Sequence, residues 1–335
     1  MHSKSLIIDG CRAILTGANI QNFYDERRSW FDGSFEVGGD AAALLRVEFQ
    51  SAWRVKNSGA QFQQLRPVAP PQGHQQNVSV VLFGRPSGSL LFALTSAGMS
   101  DNSQALGFLA LLNNAQQVIR IHTPNFNVSD ILKALKRAIE RGVRVEIVLS
   151  KNFNEGTERW VGGTNTWAAA QLLDWAAERQ ERLNLLFIRW YAHIDSPGTA
   201  VDDSLDAERK FSSHAKYMSI DNVVVVVGST NMDNQSFFNS REANLAVFCA
   251  PVCRAWDAAF FMPSFGRAEP VRPEPPRELA IVPYQPPQAP VVVQFHGAGL
   301  LGPLFGIAFN NPMQNHLNLS LSLVFRNSNR NSGKK

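Results

Sequence analysis

The sequence predicts an α/β protein of two related lobes with mixed sheets flanked by helices, the first lobe incomplete and the second followed by a disordered Pro-rich C-terminal tail. Three observations carry that expectation: apolar stretches that switch between strand and helix periods, a polar signature that occurs twice, and an abrupt change of composition after about Gly266.

Residues 1–56 open on the apolar stretch Leu6-Ile7-Ile8. They end in a helix-like run from Asp40 to Trp53, with Leu44, Leu45, Phe49 and Ala52 on one face. A strand, a loop and a covering helix follow from this pattern, the C-terminal part of a first lobe. Residues 57–79, rich in Gln, Pro, Gly and Asn with Pro67, Pro70 and Pro71 close together, have the composition of a linker. Residues 80–265 hold the second lobe. Its regular part starts with a helix from Ser103 to Ala115 and the strand Val118-Ile119-Arg120-Ile121. A helix follows with Ser129 as N-cap, with Ile131, Leu132, Leu135, Ala138 and Ile139 on one face, and with Gly142 at its end. Next come a strand at Val143 to Leu149, a helix at Thr166 to Glu178, and strands at Leu185 to Trp190 and Val223 to Val227. A last helix lies near Val252 to Phe261. In residues 266–335 eight prolines crowd between Pro270 and Pro290, followed by Gly-rich and Asn/Ser-rich sequence, the composition of a disordered or extended tail.

At 335 residues, with 44% hydrophobic and 18% charged residues, the chain is long enough for two ordinary cores. Its net charge of +4 suits a phosphate-bearing partner but is spread along the chain and does not specify one. The three cysteines, Cys11, Cys249 and Cys253, form no zinc or disulfide framework and favour a reduced, intracellular setting. No apolar run approaches the roughly 20 residues of a spanning helix, and Met1-His2-Ser3-Lys4 does not open a signal peptide.

The chemistry lies in the repeated signature. The first copy comprises His2, Lys4, Asp9, Gly17 and Asn19; the second comprises His214, Lys216, Asp221, Gly228, Ser229 and Asn231. One offset of 212 maps His, Lys, Asp and Asn of one copy onto the other without a gap. On a strand, residues i and i+2 share a face, so each copy is expected to project an imidazole and an ammonium group together. Two copies about a pseudo-twofold axis would surround one phosphate with two histidines and two lysines. Asn19, Asn231 and Ser229 would add neutral donors to its non-bridging oxygens. His-x-Lys is not metal-ligand spacing and an ammonium group repels a cation, so no metal is expected, and no organic cofactor is required. His122 and His193 read as structural or surface histidines.

These residues resemble the duplicated motif of the phospholipase D superfamily, His-x-Lys-(x)4-Asp-(x)6-Gly-Ser-x-Asn. The second copy matches in full and continues with Asp233, Ser236, Asn239 and Glu242; the first has Thr16 and Gly17 where Gly and Ser would stand. Asn19-Ile20, Trp30, Asp32, Gly38-Gly39, Thr123-Pro124-Asn125-Phe126 and Arg141-Gly142-Val143 look like segments of cardiolipin-synthase-like members. Fungal phospholipase D-like relatives share these features. The resemblance covers residues 1 to about 262. It implies a ping-pong reaction: one motif histidine attacks phosphorus, the other protonates the leaving alcohol, and water or a second alcohol resolves the phosphohistidine. The two histidines must then differ in protonation, and a carboxylate on each ring can arrange this, with Glu242 and Asp32 as candidates. Asp9 and Asp221 are implied to hold the motif's own loop, with Gly17 and Gly228 as structural members of the motif.

The expected activity is phosphodiester cleavage or phosphatidyl transfer on a phospholipid, at the periphery of a membrane. A nuclease using the same four residues stands as an alternative that the modest basic excess disfavours. A catalytically impaired protein that binds lipid or a partner is a second alternative. The second copy is preceded by about 110 residues of predicted helices and strands, whereas only Met1 precedes His2. The sequence therefore reads as N-terminally truncated, with Leu6, Ile7 and Ile8 lacking cover, His2 on a fraying end, and a homodimer as one way to complete the site.

Overall fold

The computed structural model describes residues 2–21, 24, 28–56, 78–85, 102–153, 162–204, 210–273, 292–295 and 317–320. Most of the proposed linker and tail lies outside the described residues. The mixed α/β architecture is present, built on one eight-stranded sheet and one three-stranded sheet.

The small sheet joins β1 (Ser5–Ile8), β2 (Arg12–Thr16) and β3 (Ser34–Gly38) in antiparallel order, and α1 (Gly39–Lys56) follows directly. The large sheet contains β4 (Ser79–Arg85), β5 (Val118–Thr123), β6 (Arg144–Leu149), β7 (Leu186–Trp190), β8 (Tyr217–Ile220), β9 (Val224–Gly228), β10 (Glu242–Phe248) and β11 (Glu269–Pro270). Their spatial order is β11-β7-β6-β5-β8-β9-β10-β4. Only β5-β6-β7 run parallel, because helices α3 (Ser129–Glu140) and α4 (Asn165–Ala177) supply the two crossovers that parallel pairing requires, while α2 (Ser103–Asn114) leads from β4 into β5.

The valine run shows how one sequence serves both faces. Val224 and Val226 face the core under α2, α3 and α4, with Ile119, Ile121, Ile147 and Leu135. Val225 and Val227 turn to the opposite core with Tyr217, Leu245, Trp256, Phe260 and Phe261. A strand covered on both sides loses the alternation of a half-exposed one and reads as continuously apolar. That second core also takes in Leu15, Phe35, Val37, Ala41, Ala42 and Leu45 from residues 5–56. The first segment is thus packed onto the second lobe, not left without cover: Ile7 rests against this core, while Leu6 remains 56% exposed on β1, an edge strand among the described residues.

Three boundaries differ from the sequence reading. Ser129 is the first residue of α3, not its cap; the cap position is Val128, which makes no side-chain capping bond. Ser79, assigned to the linker, opens β4, which pairs along its whole length with β10. Residues 266–271, assigned to the tail, belong to the fold. Glu269 and Pro270 pair with Trp190 and Arg189, and Val271 N–H donates to Ile188 O. Further on, Val292–Phe295 pairs with Leu317–Ser320.

Candidate active site

Both copies of the motif fold the same way. Each His-x-Lys lies in the extended stretch immediately before its strand, since β1 begins at Ser5 and β8 at Tyr217. The strand turns at the motif aspartate, which adopts a positive φ of 51° at Asp9 and 56° at Asp221, a conformation that Asp tolerates better than most residues. Asp221 then accepts backbone N–H bonds from Gln116, Gln117 and Val118 at 2.9, 2.7 and 2.9 Å, tying the hairpin to the start of β5. Asp9, in the matching position, is exposed.

The two halves are cross-stitched. His2 N–H donates to Arg241 O at 2.9 Å and His214 N–H to Phe31 O at 2.8 Å, so each motif histidine is fastened beside the carboxylate of the other half. Each carboxylate is meanwhile anchored within its own half: Gly17 N–H donates to Gly33 O and Ser229 N–H to Ala243 O, both at 3.1 Å. Asp32 and Glu242 therefore occupy equivalent places, a correspondence their sequence neighbours do not reveal.

The side chains follow this exchange. His2 Nδ1 lies 2.8 Å from Glu242 Oε1, and His214 Nδ1 lies 2.9 Å from Asp32 Oδ2. Lys216 Nζ sits 2.7 Å from His214 Nδ1 and 3.8 Å from Asp32 Oδ2. Each lysine also reaches back to the carbonyl of its own histidine, Lys4 to His2 O at 2.5 Å and Lys216 to His214 O. With Nδ1 turned to a carboxylate, Nε2 is the nitrogen left for an incoming phosphorus or leaving oxygen.

Burial shapes the charges. Asp32, His214, Lys216 and Glu242 are almost fully buried, whereas the His2 side chain keeps 28% of its surface. Desolvation, helped by the neighbouring Lys216, pushes His214 down to about 4 against the pull of Asp32. Trp30 and Phe153, with ring centroids 5.8 and 5.7 Å from the imidazole, supply the apolar wall. Burial likewise lowers Lys216 to about 7 and Lys4 to about 8. Burial alone would raise the Asp32 carboxyl, but Lys216, His214 and the Gly33 N–H outweigh it and hold the carboxyl below its ordinary value. Lys4 and Lys216 each feel both Asp32 and Glu242, so the two halves form one electrostatic cluster.

Two expected phosphate donors are otherwise engaged. The single O–H of Ser229 donates to Glu242 Oε2 at 2.5 Å and thus fixes the carboxylate that holds His2. The Asn231 amide donates to the buried Asp233, whose carboxylate caps the helix Asn234–Phe238 through Ser236 N–H at 2.7 Å. Asn19 lies half-buried beside Gly17, and its backbone N–H donates to Tyr24 Oη at 3.3 Å. Gly228 is required by packing, because a Cβ there would collide with Ala243 O and Asn244 Oδ1.

Sequence reasoning missed two supports. Tyr24 Oη lies 3.1 Å from Asp32 Oδ2 and 3.2 Å from His214 Nδ1, and no spacing rule marks a lone loop tyrosine. Behind His214, the fully buried His122 Nε2 meets Ser213 Oγ at 2.7 Å, and Ser150 Oγ donates to Ser213 O at 2.5 Å. His122 is thus structural, as expected; burial lowers its pKa to about 3.

Fold and site together define a protein with a two-copy His-Lys centre closed by crossed carboxylates. A family model described as cardiolipin synthase, PLD-like domain, matches residues 108–261. Cardiolipin synthase A of Pseudomonas entomophila (strain L48) is 26% identical over 243 residues, covering 70% of this chain and 41% of that protein. Cardiolipin synthase of Clostridium perfringens (strain SM101) is 24% identical over 269 residues, covering 78% and 48%. The chain therefore spans about half the length of the curated relatives it matches. Among solved structures, phosphatidylserine synthase of Haemophilus influenzae Rd KW20 shares the fold, with a TM-score of 0.52 at 14% identity over 81% of this chain and 63% of that one. Residues 108–261 thus match the PLD-like domain of the cardiolipin synthase family, and over most of its length the chain is similar to cardiolipin synthases. No described helix is long and apolar enough to cross a membrane.

Proposed function

We propose that this chain cleaves or exchanges phosphodiester bonds of phospholipids through a phosphohistidine, with a lipid surface presenting the substrate. The observation that supports this best is the crossed pairing, His2 on Glu242 and His214 on Asp32, with Lys4 and Lys216 in the same cluster. One imidazole Nε2 attacks phosphorus and the P–O bond to the leaving alcohol breaks, the other histidine giving that oxygen its proton. Water or a second alcohol then attacks the same phosphorus, passes its proton to that histidine, and the N–P bond breaks. The lysines offset the charge that gathers on the non-bridging oxygens. Asn19 and Asn231 stand at equivalent places in the two halves, two residues past Gly17 and Ser229, and Ser229 acts through Glu242.

The crossed carboxylates have distinct work in this scheme. Each fixes its partner imidazole with Nε2 toward the reacting phosphate and steadies the imidazolium form when it arises. The reading of an impaired binding protein is weakened by the first half, which has its histidine, lysine and carboxylate in the same arrangement as the second. The test is incubation of the purified chain with vesicles of phosphatidylglycerol, vesicles of phosphatidylcholine, and single-stranded DNA, with products resolved by mass spectrometry. Released headgroup or a transphosphatidylation product is expected from lipid. Cleavage of DNA alone would favour the nuclease reading instead.

A further inference from the structure

We propose that the Tyr24 hydroxyl takes over, in the first half of the site, the place that the Ser229 hydroxyl has in the second. The proposal rests on the functional reading above and names a positioning residue for it. The two halves differ at two motif positions, Thr16 against Gly228 and Gly17 against Ser229, and the second of these bears on the carboxylates. Ser229 Oγ donates to Glu242 Oε2, the carboxylate that orients His2. The equivalent of Ser229 under the offset of the repeat is Gly17, which has no side chain to give to Asp32.

A serine would not fit there. A Cβ built on Gly17 falls inside contact distance of Asp32 Oδ1 and 2.9 Å from Lys216 Cδ. The reason is the length of the carboxylate. Asp32 is one methylene shorter than Glu242, so its carboxyl group lies directly over the backbone that anchors it, and glycine is what the turn can accept. The shorter acid and the missing hydroxyl are thus one paired change.

Tyr24 supplies the missing donor from outside the motif. Its hydroxyl oxygen accepts the Asn19 N–H at 3.3 Å, which leaves its single proton for Asp32 Oδ2 at 3.1 Å. Trp30 meets the phenol ring edge-on with centroids 6.2 Å apart, holding it in place. Burial raises the phenol above its ordinary value, so it stays protonated as a donor across the working range. By donating to Asp32, Tyr24 tempers the pull of that carboxylate on His214, whose Nδ1 shares the same oxygen.

The test is Tyr24→Phe, which removes one oxygen and keeps the ring. Without the donor, Asp32 becomes a stronger acceptor and holds a proton on His214 more firmly. The His214 titration followed by nitrogen-15 NMR is expected to move up by about half a pH unit. kcat is expected to fall about threefold, the factor to which half a pKa unit converts, with KM unchanged, because the change acts on the poise of the histidine rather than on lipid contacts. Gly17→Ser, which restores the common motif residue, is expected to lower activity in either background instead of rescuing it, since it displaces Asp32. A His214 titration unmoved in Tyr24→Phe would overturn the proposal, as would a wild-type rate in Gly17→Ser. The titration needs no turnover, so a wild-type chain inert on all three substrates would count against the functional reading and leave Tyr24 to be judged by NMR.

Discussion

The buried lysines set how the site responds to pH. Lys216, lowered to about 7, and Lys4, lowered to about 8, lose their charge in a range where an exposed lysine keeps it. Sulfate keeps a constant charge over this interval, so its affinity follows the charges of the protein, the two lysines foremost. Calorimetry should find sulfate binding weakening by tenfold or more, on the order of one pKa unit of interaction, between about pH 6.5 and 9. Flat or rising affinity would mean that the anion sits elsewhere. The sign for folding is opposite. A lysine whose folded pKa is lowered binds its proton less well in the native state, so its penalty is complete below about pH 7 and is relieved as pH rises toward the unfolded value. Asp32 is what makes that cation tolerable. Asp32→Asn leaves Lys216 buried without its partner charge, a loss of about 3 kcal/mol or more in urea unfolding at pH 6. The deficit should shrink at pH 9, where Lys216 is neutral in the native state; an equal deficit at both values would show that packing, not charge, is at stake.

Elements were legible in proportion to how locally they are specified. Helix α3 announced itself through Ile131, Leu132, Leu135, Ala138 and Ile139 on one face and Gly142, at φ 88°, where it ends. The valines of β9 were legible because both faces are covered. By contrast, β4 depends on pairing with β10, about 160 residues away, and β11 is a two-residue edge in Pro-rich sequence, so neither had a local pattern to show. The repeat located His2, Lys4, His214 and Lys216, and the resemblance pointed to Asp32 and Glu242, but which carboxylate serves which histidine is settled by backbone bonds between halves. Equivalent motif residues can still differ in what they support. Asp221 satisfies three backbone N–H groups at the start of β5, so Asp221→Ala should cost about 2–3 kcal/mol in chemical denaturation. The matching Asp9→Ala, at an exposed turn, should cost about 1 kcal/mol or less, the part owed to a positive φ that alanine tolerates less well. Equal losses would mean that Asp9 has an acceptor role comparable to that of Asp221.

At the scale of the whole molecule, the central question is whether residues 5–56 form a unit of their own or part of one cooperative structure. The sequence suggested an incomplete first lobe beside a complete one, because Leu6-Ile7-Ile8 had no cover in view. What that reading could not see is that β2, β3 and α1 use the rear of the large sheet as their core. Leu15 is fully buried in the same cluster as Tyr217, Val225, Trp256, Phe260 and Phe261, and the Phe35 ring packs tilted against Trp256 with centroids 4.7 Å apart. The Glu48 carboxylate of α1 takes Arg241 Nε at 2.7 Å, next to Glu242 in the site. Separate folding would expose this shared apolar face on both partners, which the hydrophobic effect opposes at about 25 cal/mol per Å². We therefore expect one unfolding transition, with tryptophan fluorescence, to which Trp30 and Trp256 contribute, coinciding with far-ultraviolet circular dichroism. Leu15→Ala should lower that single transition by about 2–5 kcal/mol and loosen the site, because β2 leads directly into Gly17 and Asn19. A first transition confined to residues 5–56, with β5 to β9 still folded, would instead show that the crossed site is assembled from two independently stable parts.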